Sequence, residues 1–565
     1  MNTIYDKYLK DSLKIEEYHY QEDVKYHAFY QDFCKVVNVA SGYSFSLPTI
    51  DFKYDYELSE LRCKYYFDDC ILTTSFENKN PYGKPPYVHT PKRGWEIYLD
   101  EWLIRYISHP DYLKGNQISK VEETIIDDHF LKQYELIRFA YVIEEAGQIQ
   151  RPYYNIAIIR PKNEYTNFYL FVMKSKTNQV KMFKEILQSF QIIPQIGKAK
   201  NIQQEYPLCI DENWNEMTQK YFNKLLNQET VDWGIFTKSI VNEDDSAYDY
   251  IEKRLTQEVN RFDALTDKGL TLFPTYMHIS WQGHIHHFPM TQALKYAGGD
   301  GLNHKKVLHF TFQYTANDNQ SFFGYSPTFD ILRGKYDDYF RELARQIKKY
   351  HYPVLFRLNN EMNTDWTSYS GITSLLDPDL FILSWSKLFD IFKEEKVDNC
   401  IWIFNPIGNT TPFSNWGEYL NYYPKNKVHM LGLTYYERGN EEKFTSFKEL
   451  YSTLYEKNIP YFKKYPHIIS EFGVGCGGEI IPNYEKGGFD FTLIRRNLNK
   501  QVKWVKEMFD NFDNKEEYTK NIKAAIWFSA NDYGSVEGKN YIMNYFQLDE
   551  EVMPTILALK EGINK

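Results

Sequence analysis

From residue 231 onward the chain alternates short apolar runs with longer segments whose apolar residues recur every three or four positions. The short runs predict eight strands: Trp233 to Phe236, Thr271 to Ile279, Val307 to Gln313, Pro353 to Leu358, Cys400 to Phe404, Val428 to Thr434, His467 to Ser470 and Lys523 to Phe528. Between them lie helical stripes such as Tyr336, Phe340, Leu343, Ala344 and Ile347, and Phe381, Trp385, Leu388, Phe389 and Phe392. Each stripe can cover one patch of a parallel sheet. Eight strand and helix pairs in about 330 residues have the size and rhythm of a (β/α)8 barrel. A doubly wound open sheet would need a Gly-rich phosphate turn after the first strand, and GIFTKSIVNEDD is not one.

The first 195 residues follow a different rhythm. Strand-like runs at Trp95 to Tyr98, Arg138 to Ile143, Tyr154 to Ile159 and Tyr169 to Met173 are separated by polar turns, with Gly147 marking a hairpin. Phe183, Ile186, Leu187 and Phe190 then form a helical stripe. The pattern predicts an α/β protein: a smaller α+β domain with an antiparallel sheet (1–195), a connector (196–230) with a helix over Trp214 to Leu226, and a TIM barrel (231–565). The N-terminal domain offers binding, spacing or assembly as its work.

Composition narrows the function. Of 565 residues, 43% are hydrophobic and 25% charged, as in folded soluble proteins. Aromatic residues reach 18%, more than a core needs, and flat rings with polar edges suit sugar faces. A net charge of -10 without a basic stripe argues against nucleic acid as a partner. No window is apolar enough to span a membrane, and the N-terminus lacks a basic segment followed by an apolar run. The expected location is the cytoplasm as the sequence stands, or outside the cell if a signal has been removed. Six Cys (34, 63, 70, 209, 400, 476) show neither metal spacing nor a disulfide framework and are read as reduced thiols.

Two carboxylates stand out. Glu361 follows the fourth strand in RLNNEMNTDW, and Glu471 follows the seventh in HIISEFGVG. In such barrels the C-terminal strand ends meet substrate, so the two acids face each other across the barrel mouth. Glycoside hydrolysis with retention needs two carboxyl groups about 5 to 5.5 Å apart, one to protonate the leaving oxygen and one to attack.

The segments RLNNEMNTDW, IWIFNP, NYYP followed by MLGLTYY, and IISEFG resemble the β-mannanase-type glycoside hydrolases of family 26, in the retaining clan of (β/α)8 barrels. The resemblance covers roughly residues 230–560. It implies Glu361 as general acid/base, Glu471 as nucleophile and no cofactor. It also implies Tyr436 as hydrogen-bond partner of the nucleophile, with Tyr435 one residue away, and a polysaccharide or oligosaccharide substrate. Trp366 and Tyr369 fall where that family carries subsite rings, and Trp527 where much of the clan floors the reacting sugar. Two positions depart: Asn360 stands where the family commonly has His before the acid, and Gln313 where it has a second His after strand three. A pocket that reads hydroxyls through buried polar groups changes substrate with such residues, so β-mannan is the default, with β-glucan, xylan or a bacterial exopolysaccharide alongside it.

Other residues carry two readings each. Trp281 is a sugar-stacking ring or loop packing; Trp416 a subsite ring or an anchor for its long loop; Arg357 a partner of the nucleophile or part of a charged layer beneath the site. His284, His286 and His287 fit no standard zinc spacing, and no metal is expected. Asp365 and Asp532 read as loop-ordering or substrate-binding acids. The leading expectation is a retaining endo-β-glycosidase. The alternative is a carbohydrate-binding or assembly protein on a degenerate barrel.

Overall fold

The structure is a computed structural model. It describes 106–162, 168–193, 208–237, 256–278 less residue 268, 305–314, 326–364, 367–408, 419–437, 444–457, 465–476, 497–537 and 540–565, with shorter stretches within 19–104, 294–299 and 479–494.

Eight parallel strands close into a barrel in chain order: Asp232–Thr237, Leu272–His278, Val307–Gln313, Val354–Leu358, Cys400–Phe404, Met430–Glu437, His467–Val474 and Ile522–Ser529. The eight predicted strands are these. The sixth starts two residues later than predicted and runs to Glu437, and the seventh continues through Glu471 to Val474.

Alternation along each strand decides which side chains fill the barrel and which meet the helices. In the third strand Leu308, Phe310 and Phe312 join the sheet-helix core, whereas Thr311 and Gln313 reach groups inside the barrel. In the fourth, Val354, Phe356 and Leu358 face the helices, and Leu355 joins the interior cluster. That cluster holds Leu272, Leu355, Ile401, Ile403, Met430, Ile468, Ala524 and Ile526, with Trp214, Phe222 and Leu225 from the connector. Trp214 donates to the Cys400 carbonyl at 3.0 Å, just before the helix Glu216–Asn227, whose apolar side seals the floor. A dry floor leaves polar chemistry to the opposite end.

The antiparallel N-terminal sheet has seven strands, Lys53–Tyr56, Arg62–Phe67, Cys70–Glu77, Ile118–Leu131, Tyr134–Ile143, Tyr153–Pro161 and Phe168–Ser175. The predicted hairpin pairs Tyr134–Ile143 with Tyr153–Pro161. Gly147 in its loop has φ 57°, and a Cβ there would lie 2.4 Å from the Leu332 carbonyl oxygen, so only glycine fits. One sheet face, with Leu136, Ala157, Ile159, Phe171 and Met173, packs on the helix Val180–Gln188. The other, with Ile137, Phe139, Tyr141, Ile156, Ile158 and Leu170, belongs to the same apolar cluster as the barrel helices. The two regions therefore share a core.

Among the described residues no disulfide is formed, no cluster of His, Cys, Asp or Glu could hold a metal ion, and no helix is long and apolar enough to cross a membrane.

Candidate active site

The mouth of the barrel is polar because its last inward-facing positions are Tyr276, Thr311, Gln313, Arg357 and Glu471. Glu471 reaches it through an irregularity. Along the seventh strand Ile468 faces in, Ile469 faces out and Ser470 faces in, its hydroxyl 3.3 Å from His309 Nε2. Strict alternation would then send Glu471 outward. Instead the pairing with strand six jumps from Leu433–Ile469 to Thr434–Glu471, leaving Ser470 as the extra residue of a bulge. Glu471 thus points inward after Ser470, and Phe472 returns to the outer core.

Four donors meet its carboxylate. Oε1 accepts from Arg357 Nη2 at 2.5 Å, the Tyr276 hydroxyl at 2.6 Å and Asn360 Nδ2 at 3.2 Å; Oε2 accepts from the Tyr436 hydroxyl at 2.6 Å. Arg357 is fully buried and also donates to Tyr276 Oη at 2.7 Å and Thr311 Oγ1 at 2.8 Å. Burial opposes its charge, but Tyr276 and Glu471 outweigh burial and raise the guanidinium above its ordinary value. Burial, with Glu471 adding to it, likewise lifts the Tyr276 and Tyr436 hydroxyls well above the usual tyrosine range, although Arg357 pulls Tyr276 back. Both therefore remain donors. His309 is held neutral, first by burial and then by the Arg357 charge.

Glu361 arrives differently. Strand four ends at Leu358, and Asn359 (φ 47°) and Glu361 (φ 57°) both take left-handed backbone, at roughly 1–2 kcal/mol per residue. Hydrogen bonds over-determine this turn. Asn359 Oδ1 accepts from the Tyr314 amide at 2.8 Å, the Glu361 amide donates to the Asn405 carbonyl at 2.8 Å, and Asn363 makes a reciprocal pair with the Ile407 backbone at 3.0 and 3.1 Å. Glu361 and Glu471 are each only 5% exposed, and both charges act on the Tyr436 hydroxyl. The two carboxylates share one end of the barrel.

Asn360 lies between them. Its Oδ1 accepts from Gln313 Nε2 at 2.6 Å while its Nδ2 donates to Glu471, an arrangement that fixes which way the amide faces. Tyr369 does not reach the mouth as an open ring. It is wholly buried against Phe381, and its hydroxyl donates to the Asn360 carbonyl, so it holds the turn from behind. Trp527 is also not brought to the site: it faces the outer core, packed 5.3 Å from Phe472, its indole donating to the Phe546 carbonyl at 2.8 Å. The reason is strand parity, which turns the next residue inward. Phe528 stands with Phe236, Tyr276 and Tyr436, at ring separations of 5.1 Å to Phe236 and 5.9 Å to Tyr436. Tyr435 packs outward on Tyr451, so Tyr436 alone of the doublet meets Glu471. Trp281, Trp366, Trp416, Asp365 and the three His lie outside the described residues, as does the side chain of Asp532.

Sequence reading passed over Tyr276, Thr311 and Phe528, and gave Asn405 no more than a part in turning the chain. The signal for Tyr276 and Phe528 was available: both sit at inward parity near the ends of their strands.

A closed parallel barrel with two buried carboxylates at its C-terminal mouth, one in a cage of donors, is the architecture of the barrel glycosidases. Residues 302–461, strands three to six with Glu361 and Tyr436, match the sequence model of glycosyl hydrolase family 26, the family that the motifs resemble. It is 28% identical over 211 residues to Endoglucanase H of Acetivibrio thermocellus, covering 36% of this chain and 20% of that protein. Among solved structures it is similar to a Bacillus subtilis mannanase (13% identity, 57% of this chain and 88% of the other, TM-score 0.35). It is also similar to GH26C of a Muricauda species (16% identity, 63% and 92%, TM-score 0.40).

Proposed function

We propose that this chain is a retaining endo-β-glycosidase acting on a β-linked polysaccharide or oligosaccharide, with β-mannan the first substrate to try. The observation that carries the reading is the unequal engagement of Glu471. Three donors occupy Oε1, and among the described residues only Tyr436 meets Oε2. Arg357 holds the carboxylate by Oε1, and Oε2 retains a lone pair for an anomeric carbon. In the first step Oε2 bonds to that carbon, the glycosidic C–O bond breaks, and Glu361 gives its proton to the departing oxygen. In the second, Glu361 takes a proton from water as the water oxygen attacks the same carbon and frees Glu471. Two inversions give net retention. The Gln313–Asn360 pair lies beside the nucleophile, where a sugar hydroxyl would be read, and we assign substrate choice to it.

The test combines a screen of β-mannan, mixed-linkage β-glucan, β-xylan and bacterial exopolysaccharides with NMR of the first anomer released. Glu471→Ala and Glu361→Gln should each lower turnover by about 10³-fold or more with the fold intact. Near-normal hydrolysis by either variant, or a first product of inverted configuration, overturns the assignment.

A further inference from the structure

The loop that leaves strand four with Asn360 and Glu361 returns to the barrel wall at Asp377, the N-cap of the helix Pro378–Glu394. Four of its described non-glycine residues have left-handed backbone: Asn359 and Glu361 at the start, Leu375 (φ 52°) and Leu376 (φ 60°) at the end. Such conformations persist only where the surroundings hold them. The start is held by the barrel itself. The end is held by the N-terminal sheet, more than two hundred residues away in sequence.

Asp377 uses Oδ1 to cap its helix, accepting from the Asp379 amide at 3.1 Å. Its Oδ2 accepts from the Tyr154 hydroxyl at 2.7 Å and from Lys174 Nζ at 2.8 Å. The same Lys174 donates to Asp379 Oδ2 at 2.7 Å, and Lys64 to Asp379 Oδ1 at 2.8 Å. Tyr112, on the N-terminal helix Pro110–Gly115, donates to the Thr373 carbonyl at 3.2 Å, and Asn116 Oδ1 accepts from the Ser326 amide at 2.8 Å. Ser326 in turn donates to the Ser368 carbonyl at 2.6 Å, next to Tyr369, whose hydroxyl holds Asn360. Lys64 and Lys174 are 6% and 8% exposed, and burying an ammonium group on a sheet face is costly unless it is paired. Here both are spent on the end of the one loop that carries Glu361.

We infer that the N-terminal sheet is a positioning element of the active site, with Lys174 and Tyr154 setting the Glu361 loop through Asp377 and Asp379; this rests on Glu361 being the acid/base. The sheet is thus part of the catalytic unit in addition to any binding role of its own.

The experiment uses the full chain. Lys174→Met, Tyr154→Phe and, as a reference, Glu361→Gln are compared with the parent in amide hydrogen exchange and in kinetics. The two substrates are 2,4-dinitrophenyl β-mannobioside, whose leaving group needs no acid, and mannopentaose, whose leaving group does. Exchange at 367–377 should rise in Lys174→Met while the barrel strands keep their protection. Turnover of mannopentaose should fall about 10- to 100-fold with KM little changed, the loss on the dinitrophenyl substrate should be smaller, and added azide should recover part of it. Tyr154→Phe, which removes one hydroxyl only, should show the same pattern more weakly and keeps the test open if Lys174→Met does not fold. Unchanged exchange at 367–377 overturns the inference, with or without hydrolysis of either substrate, as does an equal loss on both. If Glu361→Gln itself shows no dependence on the leaving group, the assignment of Glu361 fails. If it does and the other two variants match the parent, only the role of the sheet fails.

Discussion

Replacing Arg357 by Met tests the heart of the site, because an unbranched apolar stem is kept while the guanidinium with its charge and donors is lost. Arg357 is fully buried and the Glu471 side chain 7% exposed, so water cannot take over the lost interaction. Removing one partner of a buried ion pair costs about 3–5 kcal/mol, most of it the penalty of a carboxylate left without its cation. Tyr276, Asn360 and Tyr436 still donate to Glu471, which places the loss at the lower end, about 3 kcal/mol. For a cooperative unit of this size each kcal/mol lowers the melting point by about 2 °C or less, so calorimetry should show a drop of about 5 °C. Turnover should fall by about 10²-fold or more as the carboxylate loses its fixed position. The decisive comparison is with Glu471→Gln and the double variant. Removing the charge from both sides should recover most of the stability lost by Arg357→Met, giving a coupling of about 2–3 kcal/mol. Strictly additive losses, or an Arg357→Met protein melting at the parent temperature, would refute the description of Arg357 and Glu471 as a coupled buried ion pair.

Two further outcomes follow from the packing. Burial holds the His429 imidazole down at about 3 and His467 at about 4, below the value near 6.5 of an unfolded chain. The unfolded state therefore binds protons that the folded state refuses, and stability should fall by up to about 1.4 kcal/mol per pH unit for each ring as pH drops from about 6.5 toward 4. His429→Gln, which keeps an acceptor for the Trp402 amide, should flatten that slope in melts taken across the range; an unchanged slope would remove His429 from the account. Gly432→Ala would put a Cβ 2.5 Å from Asn405 Oδ1 and 2.7 Å from Ile403 Cγ2. Because the Asn405 carbonyl accepts from the Glu361 amide, both turnover and stability should fall, the latter by about 1–3 kcal/mol, and a variant matching the parent in both would show that Asn405 has room to move.

The barrel was legible because each of its strands is a short apolar run between helical stripes, a local pattern that survives in one dimension. The acids were legible by position, although Glu471 was read as leaving a strand that in fact continues three residues beyond it. Rings were harder. Trp527 is the larger side chain, yet period-two alternation turns Phe528 inward and leaves Trp527 among the helices. Tyr369 sits in a loop with no periodicity to show that it faces the core. The link from Lys174 to Asp377 spans 203 residues, and no short-range pattern announces such a pairing.

The bulge at Ser470 ties the direction of the carboxylate to the register of the strand as much as to the kinds of residue in it. An unbroken ladder of the same residues, with Ser470 rather than Glu471 paired to Thr434, would leave the composition of the mouth untouched. It would also turn the carboxylate toward the helices and send Phe472 into the barrel. A relative that keeps SEFG but lacks the bulge would carry the same letters with the carboxylate facing the wrong way.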